Sequence, residues 1–144
     1  MPSYTTSVSI AAPLEVVYGV LADVRTWPQW SPTMDAVECR DPGPIRPGTT
    51  ALVRQPGLRP ATWEVDVVEP NRRFLWHTGG LGYRIDADHE LAAHPDGTVA
   101  RLSVAMSGPL SRLIWAGFGR KIRRYVDMEA AALKRRSEQV NGPG

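Results

Sequence analysis

The hydrophobic pattern of this 144-residue chain changes its period once, at Gly108-Pro109. Before this point apolar side chains recur at every second residue, in short segments separated by proline, glycine, asparagine and aspartate. After it they recur every three or four residues, as far as about residue 138. A period of two is typical of strands with one buried face, and the longer period is typical of an amphipathic helix. The chain therefore predicts a β-sheet followed by one long helix that covers its apolar face.

Seven strands account for the alternating part of the chain. They are predicted over residues 4–10, 34–40, 48–55, 61–69, 72–78, 82–93 and 98–107. Short turns between strands favour antiparallel neighbours, and the alternation indicates one wet and one buried face. On three of these strands the residues expected on the buried face are Trp63, Val65, Val67, Tyr83, Ile85, Ala87, His89, Leu91, Ala100, Leu102, Val104 and Met106.

Two short helical segments are predicted between the first two strands. Pro13 suits a first helical turn, because its missing N–H would be unpaired there, and this helix should end near Asp23. Residues 27–32 allow only a short helical fragment, since two prolines restrict them. The long helix is predicted over about residues 109–138, and residues 141–144 should be frayed. Its apolar stripe consists of Leu110, Ile114, Phe118, Ile122, Tyr125, Met128 and Leu133.

Composition limits the classes of protein to which the chain can belong. Its length suits one domain, which we expect to be ordered over about residues 3–138. A content of 42% hydrophobic and 22% charged residues is typical of a globular protein. The single Cys39 excludes an internal disulfide and a multi-cysteine metal or iron–sulfur site. The sequence contains no apolar run of membrane-spanning length and no secretory leader. We therefore expect a cytoplasmic protein without stable membrane insertion.

Positive charge is concentrated in the last segment. Residues 1–107 contain 9 Lys+Arg and 12 Asp+Glu, which gives a net charge of −3. Residues 108–144 contain 8 Lys+Arg and 3 Asp+Glu, which gives a net charge of +5. The 15 arginines against 2 lysines are consistent with a bacterial source. The outer helix face lacks the interleaved aromatics of a base-stacking surface, so we expect no nucleic-acid partner. The alternative is an interaction protein that uses this face for DNA or an acidic protein. Its basic residues are Arg112, Arg120, Arg123 and Lys134, interrupted by Asp127.

No common catalytic or cofactor motif occurs in the chain. Phosphate loops, nucleophile elbows, zinc-protease helices and dinucleotide fingerprints are all missing. His77, His89 and His94 lack a spacing that would ligate a metal from one strand or helix. We therefore predict neither a metal nor a cofactor. Cys39 is expected to be a small apolar filler rather than a nucleophile.

Three titratable side chains fall at apolar positions of the pattern. His89 is on the buried strand face, while Asp88 and Glu90 face outward. It is either a core histidine satisfied by a hydroxyl or carbonyl, or a polar group in a ligand cavity that donates or moves a proton. Lys121 and Glu129 fall within the apolar helix stripe, where charged side chains reach to the rim. The alternative for Lys121 is an anchor for an acidic or carbonyl group of a ligand.

Five tryptophans in a chain of this length favour an aromatic interior. Trp63 and Trp76 occupy inward strand positions, and Trp27 and Trp30 lie in the proline-bounded segment, where the mouth of a cavity is expected. Gly119, with a second glycine two residues earlier, would leave space beneath the middle of the long helix. These features together favour a cavity.

Several motifs resemble one known family. They are IAAPLEVVYGVLADV at residues 10–24, WPQWSP at 27–32, VVEP at 67–70, DGT at 96–98 and Gly108 before the last helix. In this order they resemble the polyketide cyclase/dehydrase and lipid-transport family of the START-like (SRPBCC) helix-grip superfamily. The resemblance covers residues 3–138. It implies an α+β helix-grip fold, with a seven-stranded curved antiparallel sheet wrapped round a long C-terminal helix and two short helices between strands 1 and 2.

The resemblance also implies a cavity between sheet and helix for a hydrophobic or aromatic small molecule, such as a lipid, a quinone or a polyketide-like compound. Beside the interaction protein, two functions stay open: a binding protein, or a cyclase or dehydratase, for which our own catalytic candidates are His89 as the acid/base and Tyr83 as an assisting hydrogen-bond donor. A homodimer is compatible with either function. The residues predicted to contact the ligand are Trp27, Trp30, Trp63, Trp76, Tyr83, Ile85, His89, Met106, Ile114, Phe118 and Lys121.

Overall fold

The predicted strands form one antiparallel sheet in the computed structural model, which describes residues 1–142. The strands are β1 (Ser3–Ile10), β2 (Ala36–Cys39), β3 (Thr50–Arg54), β4 (Ala61–Glu69), β5 (Arg73–Gly80), β6 (Tyr83–His94) and β7 (Gly97–Ser107). The helices are α1 (Leu14–Ala22), α2 (Trp27–Trp30) and α3 (Ser111–Asn141), and a 3-10 turn (Val24–Thr26) precedes α2. The strand order is β1-β7-β6-β5-β4-β3-β2. This confirms the predicted α+β class, the seven strands and the two short helices between β1 and β2.

The two short helices complete the core beside α3. α1 begins after Pro13, as predicted, and buries Val17 and Leu21. The Trp27 indole at the start of α2 is 1% exposed and donates its N–H to the carbonyl oxygen of Leu21 over 2.9 Å. This hydrogen bond satisfies the one polar atom of a fully buried ring, so Trp27 is fixed against α1.

β4 contains a bulge that reverses its alternation. The register with β5 shifts between Val65 and Val67, which leaves Asp66 as the extra residue. Beyond the bulge Val68 lies opposite the fully buried Phe74 and packs against the core. The prediction of Val67 on the buried face is therefore wrong, because a bulge moves the later side chains of a strand to the other face.

Only the second half of α3 is packed into the core. The helix contacts β1, α1 and β7, and its buried apolar residues all lie beyond residue 129. The stripe prediction is confirmed for Leu133 and wrong for Leu110 and Phe118, which are 41% and 48% exposed. The first turns of α3 stand beside the β5–β6 turn, where the Leu110 N–H donates to the carbonyl oxygen of Gly82. No helix within residues 1–142 has the length and apolarity that crossing a bilayer requires.

α3 ends at Asn141, past the predicted end at residue 138. Its last turn is held by Glu138, whose Oε2 accepts the Ala11 N–H at 2.9 Å, and by the Asn141 amide, which donates to the Ala11 carbonyl oxygen at 3.4 Å. The first of these hydrogen bonds also lowers the pKa of the Glu138 carboxyl. The predicted frayed tail is thus helical at Asn141, and residues 143–144 lie outside the described part of the chain.

The turn into β7 allows a test of the register between β7 and β1. Gly97 has φ of +142°, and a Cβ added there would lie 2.2 Å from the carbonyl oxygen of Ile10. Gly97→Ala should therefore lower the free energy of unfolding by more than about 2 kcal/mol. The matched control is Gly19 inside α1, where an added Cβ meets nothing within 4 Å. Gly19→Ala should raise the free energy of unfolding by about 0.5–1 kcal/mol, because alanine is favoured over glycine inside a helix. Urea unfolding measures both changes, and equal effects would contradict this account.

Candidate functional site

A cavity of about 120 Å³ lies between the inner face of the sheet and α3. Its lining is mainly aromatic and aliphatic, with a few polar side chains. On the sheet side the lining includes Trp63, Trp76, Ile85, Ala87 and His89, beside Trp27 from α2. On the helix side it includes Ile122, Tyr125, Val126 and Glu129. The cavity therefore lies beneath the middle of α3, next to the half of the helix that is packed into the core.

One wall of the cavity is an aromatic cluster. The ring centroids of Trp63 and Trp76 are 5.2 Å apart, and those of Trp27 and Trp76 are 5.4 Å apart. Phe74 packs on Trp76 at 5.0 Å, and Trp30 packs on Trp27 at 5.8 Å. Distances of this size are typical of stabilising aromatic pairs, so the wall is formed before any ligand arrives.

His89 is the buried polar side chain of the cavity and is 3% exposed. Its ring stacks on Phe74, with 5.0 Å between ring centroids and 27° between ring planes. Nδ1 lies 3.0 Å from the Phe74 carbonyl oxygen, and Nε2 lies 3.1 Å from Oε1 of Glu129. Since β6 carries the imidazole and α3 carries the carboxylate, the His89–Glu129 pair joins the sheet to the helix across the cavity.

These two contacts determine how many protons the His89–Glu129 pair holds. The Phe74 carbonyl can only accept, so Nδ1 must carry a hydrogen. A neutral imidazole then has no hydrogen on Nε2. The lone pair of Nε2 would therefore face a lone pair of the Glu129 carboxylate if that group were ionised. The hydrogen bond between Nε2 and Oε1 therefore requires one further proton, either on His89 or on Glu129. With that proton the pair has no net charge, which is the arrangement that an apolar cavity tolerates.

Two side chains of α3 close the cavity against the β3–β4 loop. Lys121 Nζ donates to the carbonyl oxygen of Gly57 at 3.1 Å, and the Tyr125 hydroxyl donates to the carbonyl oxygen of Pro56. The Lys121 ammonium also lies 5.9 Å from the centre of the Tyr125 ring. We call these contacts between α3 and residues 55–58 the clasp. Lys121 thus lies at the rim, with its charge on the loop rather than inside the cavity.

The structure brings five of the predicted ligand-contact residues to the cavity and places the others elsewhere. The five are Trp27, Trp63, Trp76, Ile85 and His89. Those outside the lining are Trp30, Tyr83, Met106, Ile114, Phe118 and Lys121. The Tyr83 ring lies over Gly80 at the β5–β6 turn, so it is not beside His89, with which it was paired as a catalytic candidate.

Glu129 is the site residue whose role the sequence did not reveal. Its place within the apolar stripe of α3 was the signal, but its partner His89 is 40 residues away along the chain. The space predicted beneath Gly119 has a different occupant, because a Cβ on Gly119 would lie 2.7 Å from Nε1 of Trp115. The helix's own indole covers this glycine, so the missing side chain makes room for Trp115 rather than for a ligand.

Residues with metal-ligand chemistry meet on the outer face of the sheet. The ligand atoms of Glu64, Asp66 and His77 lie within 4.8 Å of one another. His77 Nδ1 is 2.7 Å from Oδ2 of Asp66, and Arg84 lies 3.6 Å from the same oxygen. Because Arg84 already supplies a positive charge to Asp66, we interpret the cluster as an ion-pair network. It spans β4 and β5, so histidine spacing within one element could not predict it.

Cys39 is half-buried at the end of β2 and packs against the core. Burial raises the pKa of its thiol above the ordinary value, although Arg25 acts in the opposite direction. A thiol with a raised pKa is a poor nucleophile at neutral pH, which agrees with the role of an apolar filler.

A larger groove of about 830 Å³ runs along the outside of the fold, between β1 and the second half of α3. Three of the four charged side chains in its lining, Asp127, Lys134 and Glu138, are bonded within the protein. Lys134 donates to the Ser9 carbonyl oxygen at 2.8 Å and to Glu138 at 2.7 Å, and Tyr4 donates to Asp127 at 2.8 Å. Because this groove is open to water, it desolvates a ligand less well than the smaller cavity does.

A curved antiparallel sheet around a C-terminal helix, with a cavity between them, defines the helix-grip class of proteins. The chain belongs to the polyketide cyclase / dehydrase and lipid transport family, whose model matches residues 1–138. This match confirms the resemblance noted from the sequence motifs. Family and fold fit a ligand-binding or polyketide cyclase-like protein.

Relatives and solved structures agree with this assignment. Uncharacterized protein Rv2574 of Mycobacterium tuberculosis is 28% identical over 145 residues, which cover 90% of this chain and 87% of the relative. Protein NE0264 of Nitrosomonas europaea has a TM-score of 0.74 at 15% identity, covering 98% of this chain and 97% of that one. One half of StfQ, a di-domain ARO/CYC from the steffimycin biosynthetic pathway, is similar as well. Its TM-score is 0.76 at 12% identity, covering 98% of this chain and 52% of that one.

The proton count of the His89–Glu129 pair can be tested with Glu129→Gln, which preserves shape and removes charge. With an amide donating to Nε2, His89 should carry hydrogen on Nδ1 alone, whereas the pair in the unmodified protein holds the extra proton. Histidine ¹⁵N NMR measures this as a shift of the Nε2 signal to its unprotonated position. The control is His77, which contacts Asp66 on the outer face and should not respond. Identical His89 signals in both proteins would place the extra proton on Glu129, and an ionised Glu129 carboxyl in the ¹³C spectrum of the unmodified protein would then contradict the proton count.

Proposed function

We propose that this protein binds a compact hydrophobic molecule in the cavity between the sheet and α3. One observation carries the proposal: the cavity has an aromatic wall and a buried polar pair, His89 and Glu129. Ligand pockets characteristically combine apolar walls with a small number of placed polar groups. Lipids, quinones and polyketide-like compounds are the candidate ligands.

The volume of the cavity selects among these candidates. A cavity of about 150 Å³ holds benzene, whereas drug-sized ligands need roughly 300–1,000 Å³. With about 120 Å³, the cavity is slightly smaller than this, so even one aromatic ring or a short acyl segment requires a small outward shift of its walls. A single-ring quinone or phenol therefore needs less opening than the larger candidates. A multi-ring polyketide requires the clasp to open and α3 to move outward.

The polar pair determines what such a ligand should carry. Glu129 lines the cavity, and its side chain is 15% exposed, compared with 4% for the side chain of His89. Both nitrogens of His89 already have partners, so Glu129 is the group that an entering ligand meets. A hydroxyl on the ligand would donate a hydrogen bond to the other carboxyl oxygen of Glu129, whereas a carbonyl would find no donor there, because the one extra proton of the pair already lies between Nε2 and Oε1. We therefore favour a hydroxyl-bearing ring over a pure hydrocarbon.

Ligand binding can be tested with tryptophan fluorescence, since three tryptophans line the cavity. Single-ring phenols and quinones, fatty acids and polycyclic aromatics should be titrated, and the single-ring compounds should give the largest response. Ala87→Leu narrows the cavity and should weaken binding by about tenfold or more. The matched control is Ala92→Leu, which makes the same change at an exposed position of β6. Absence of any response across the panel, or equal losses in both variants, would refute the proposal.

A second candidate function is a cyclase or dehydratase, favoured by the proton held within the pair. In the dehydration of a β-hydroxyketone the Glu129 carboxylate would take the proton next to the carbonyl, so that the C–H bond breaks and an enolate forms. The carbonyl is then restored, the C=C bond forms as the C–O bond of the hydroxyl breaks, and the hydroxyl leaves as water after receiving a proton from the pair. The protons balance: the pair gains one positive charge beside the negative enolate and becomes neutral again when it protonates the leaving hydroxyl.

The enzyme hypothesis predicts a separation of turnover from affinity. If this protein dehydrates an aromatic β-hydroxyketone, Glu129→Gln should lower its kcat by roughly 10²- to 10⁴-fold. The affinity for the same compound should change little, because the amide keeps the shape and a hydrogen bond. Steady-state kinetics and a fluorescence titration of the same preparation provide the two values. A parallel loss of both would assign the pair to binding or packing.

A further inference from the structure

The end of the fold where α3 begins exposes apolar side chains. The β5–β6 turn meets α3 there, because the Leu110 N–H donates to the carbonyl oxygen of Gly82 at 2.9 Å. The β3–β4 loop lies at the same end of the sheet and is held by the clasp. We call this end, which comprises residues 55–60, 81–82 and 108–124, the mouth face.

Four of the six exposed large apolar side chains among the described residues lie on the mouth face. Leu81 is 94% exposed at the tip of the β5–β6 turn, and Leu113 is 73% exposed on the first turn of α3. Phe118 and Leu110 are 48% and 41% exposed. Such a concentration of protruding apolar groups marks an interaction site, whereas single exposed leucines need no explanation.

The charge of the mouth face has one sign. Residues 108–126 contain five basic residues and no Asp or Glu, and the β3–β4 loop adds Arg59. The basic residues in α3 are Arg112, Arg120, Lys121, Arg123 and Arg124. None of these six cations forms an ion pair with a described residue. In contrast, Lys134 in the second half of α3 is paired with Glu138.

We propose that the mouth face docks reversibly on an anionic lipid bilayer. Leu81 and Leu113 would enter the acyl boundary, and the arginines would contact lipid phosphates. The apolar groups protrude singly from a turn and a helix start. A bilayer accepts such groups without a matching shape, whereas a protein partner would need pockets to fit them. In the docked state the cavity rim faces the membrane.

The proposal can be tested by co-sedimentation with phosphatidylcholine vesicles, with and without phosphatidylglycerol. Binding should require phosphatidylglycerol and weaken with added salt. Arg112→Glu with Arg120→Glu should weaken binding by more than about twentyfold, since one basic residue near an anionic surface contributes roughly fivefold. Leu81→Ser with Leu113→Ser should weaken it by at least about tenfold, because both lose burial in lipid.

Matched controls lie at the other end of the same helix. Arg135→Glu and Val140→Ser change an exposed arginine and an exposed apolar residue outside the mouth face, and each should leave vesicle binding unchanged. Circular dichroism should show that all variants are folded. Failure to bind phosphatidylglycerol vesicles would overturn the proposal, as would equal losses in the controls. Binding that ignores the leucine changes would reduce the contact to electrostatic adsorption and also overturn it. Sedimentation velocity showing a dimer that the leucine changes dissociate would assign this face to a second copy instead.

Discussion

The close approach of the second half of α3 to the rest of the fold determines where everything else can lie. Alanines at positions 130 and 132 are buried, and a helix with small side chains at its contact can approach its neighbours closely. Before this contact the middle of α3 stands off from the sheet, because Ile122, Tyr125 and Val126 face a gap rather than the strands. The cavity fills the start of this gap. The clasp closes the rim of the cavity. The first turns of α3, which precede the cavity, expose Leu113 and Phe118 to solvent.

The His89–Glu129 pair bridges the gap at its narrow end, and it reconciles two interpretations of His89. The histidine is satisfied by a backbone carbonyl, as a core histidine would be, and it also lines a cavity. Removing its partner would leave a buried polar atom without a hydrogen bond, which costs roughly 1–3 kcal/mol. The pair therefore contributes to holding α3 over the sheet whether or not a ligand uses its proton. For this reason the tests of its chemistry rely on shape-preserving changes.

The sequence predicts much of the fold because the fold is largely local. Strands β2 to β7 are joined by turns, and each pairs with the next strand along the chain. The exception is β1, which pairs with β7 because β7 is the last strand of this series and has one free edge. Alternation also placed His89, Ile85 and Trp76 correctly on the inner face. It failed at Val67, because the extra residue of a bulge is invisible in the apolar pattern of a single strand. The helical wheel placed Leu110 and Phe118 on the apolar side of α3. It could not show that the sheet leaves this part of the helix uncovered, so both side chains are exposed. The contact of Glu129 with His89, and of Lys121 with Gly57, depends on three-dimensional distances that no spacing encodes.

The clasp separates how fast a ligand exchanges from how tightly it binds. Its hydrogen bonds join α3 to backbone carbonyls of residues 56 and 57, outside the aromatic wall that a ligand would contact. Opening the clasp is then a step that precedes both entry and escape, and its free energy enters both rates equally. A weakened clasp would shorten the residence time of a bound molecule without altering the equilibrium constant. Proteins with the same cavity and different loops could therefore hold one molecule for very different lengths of time.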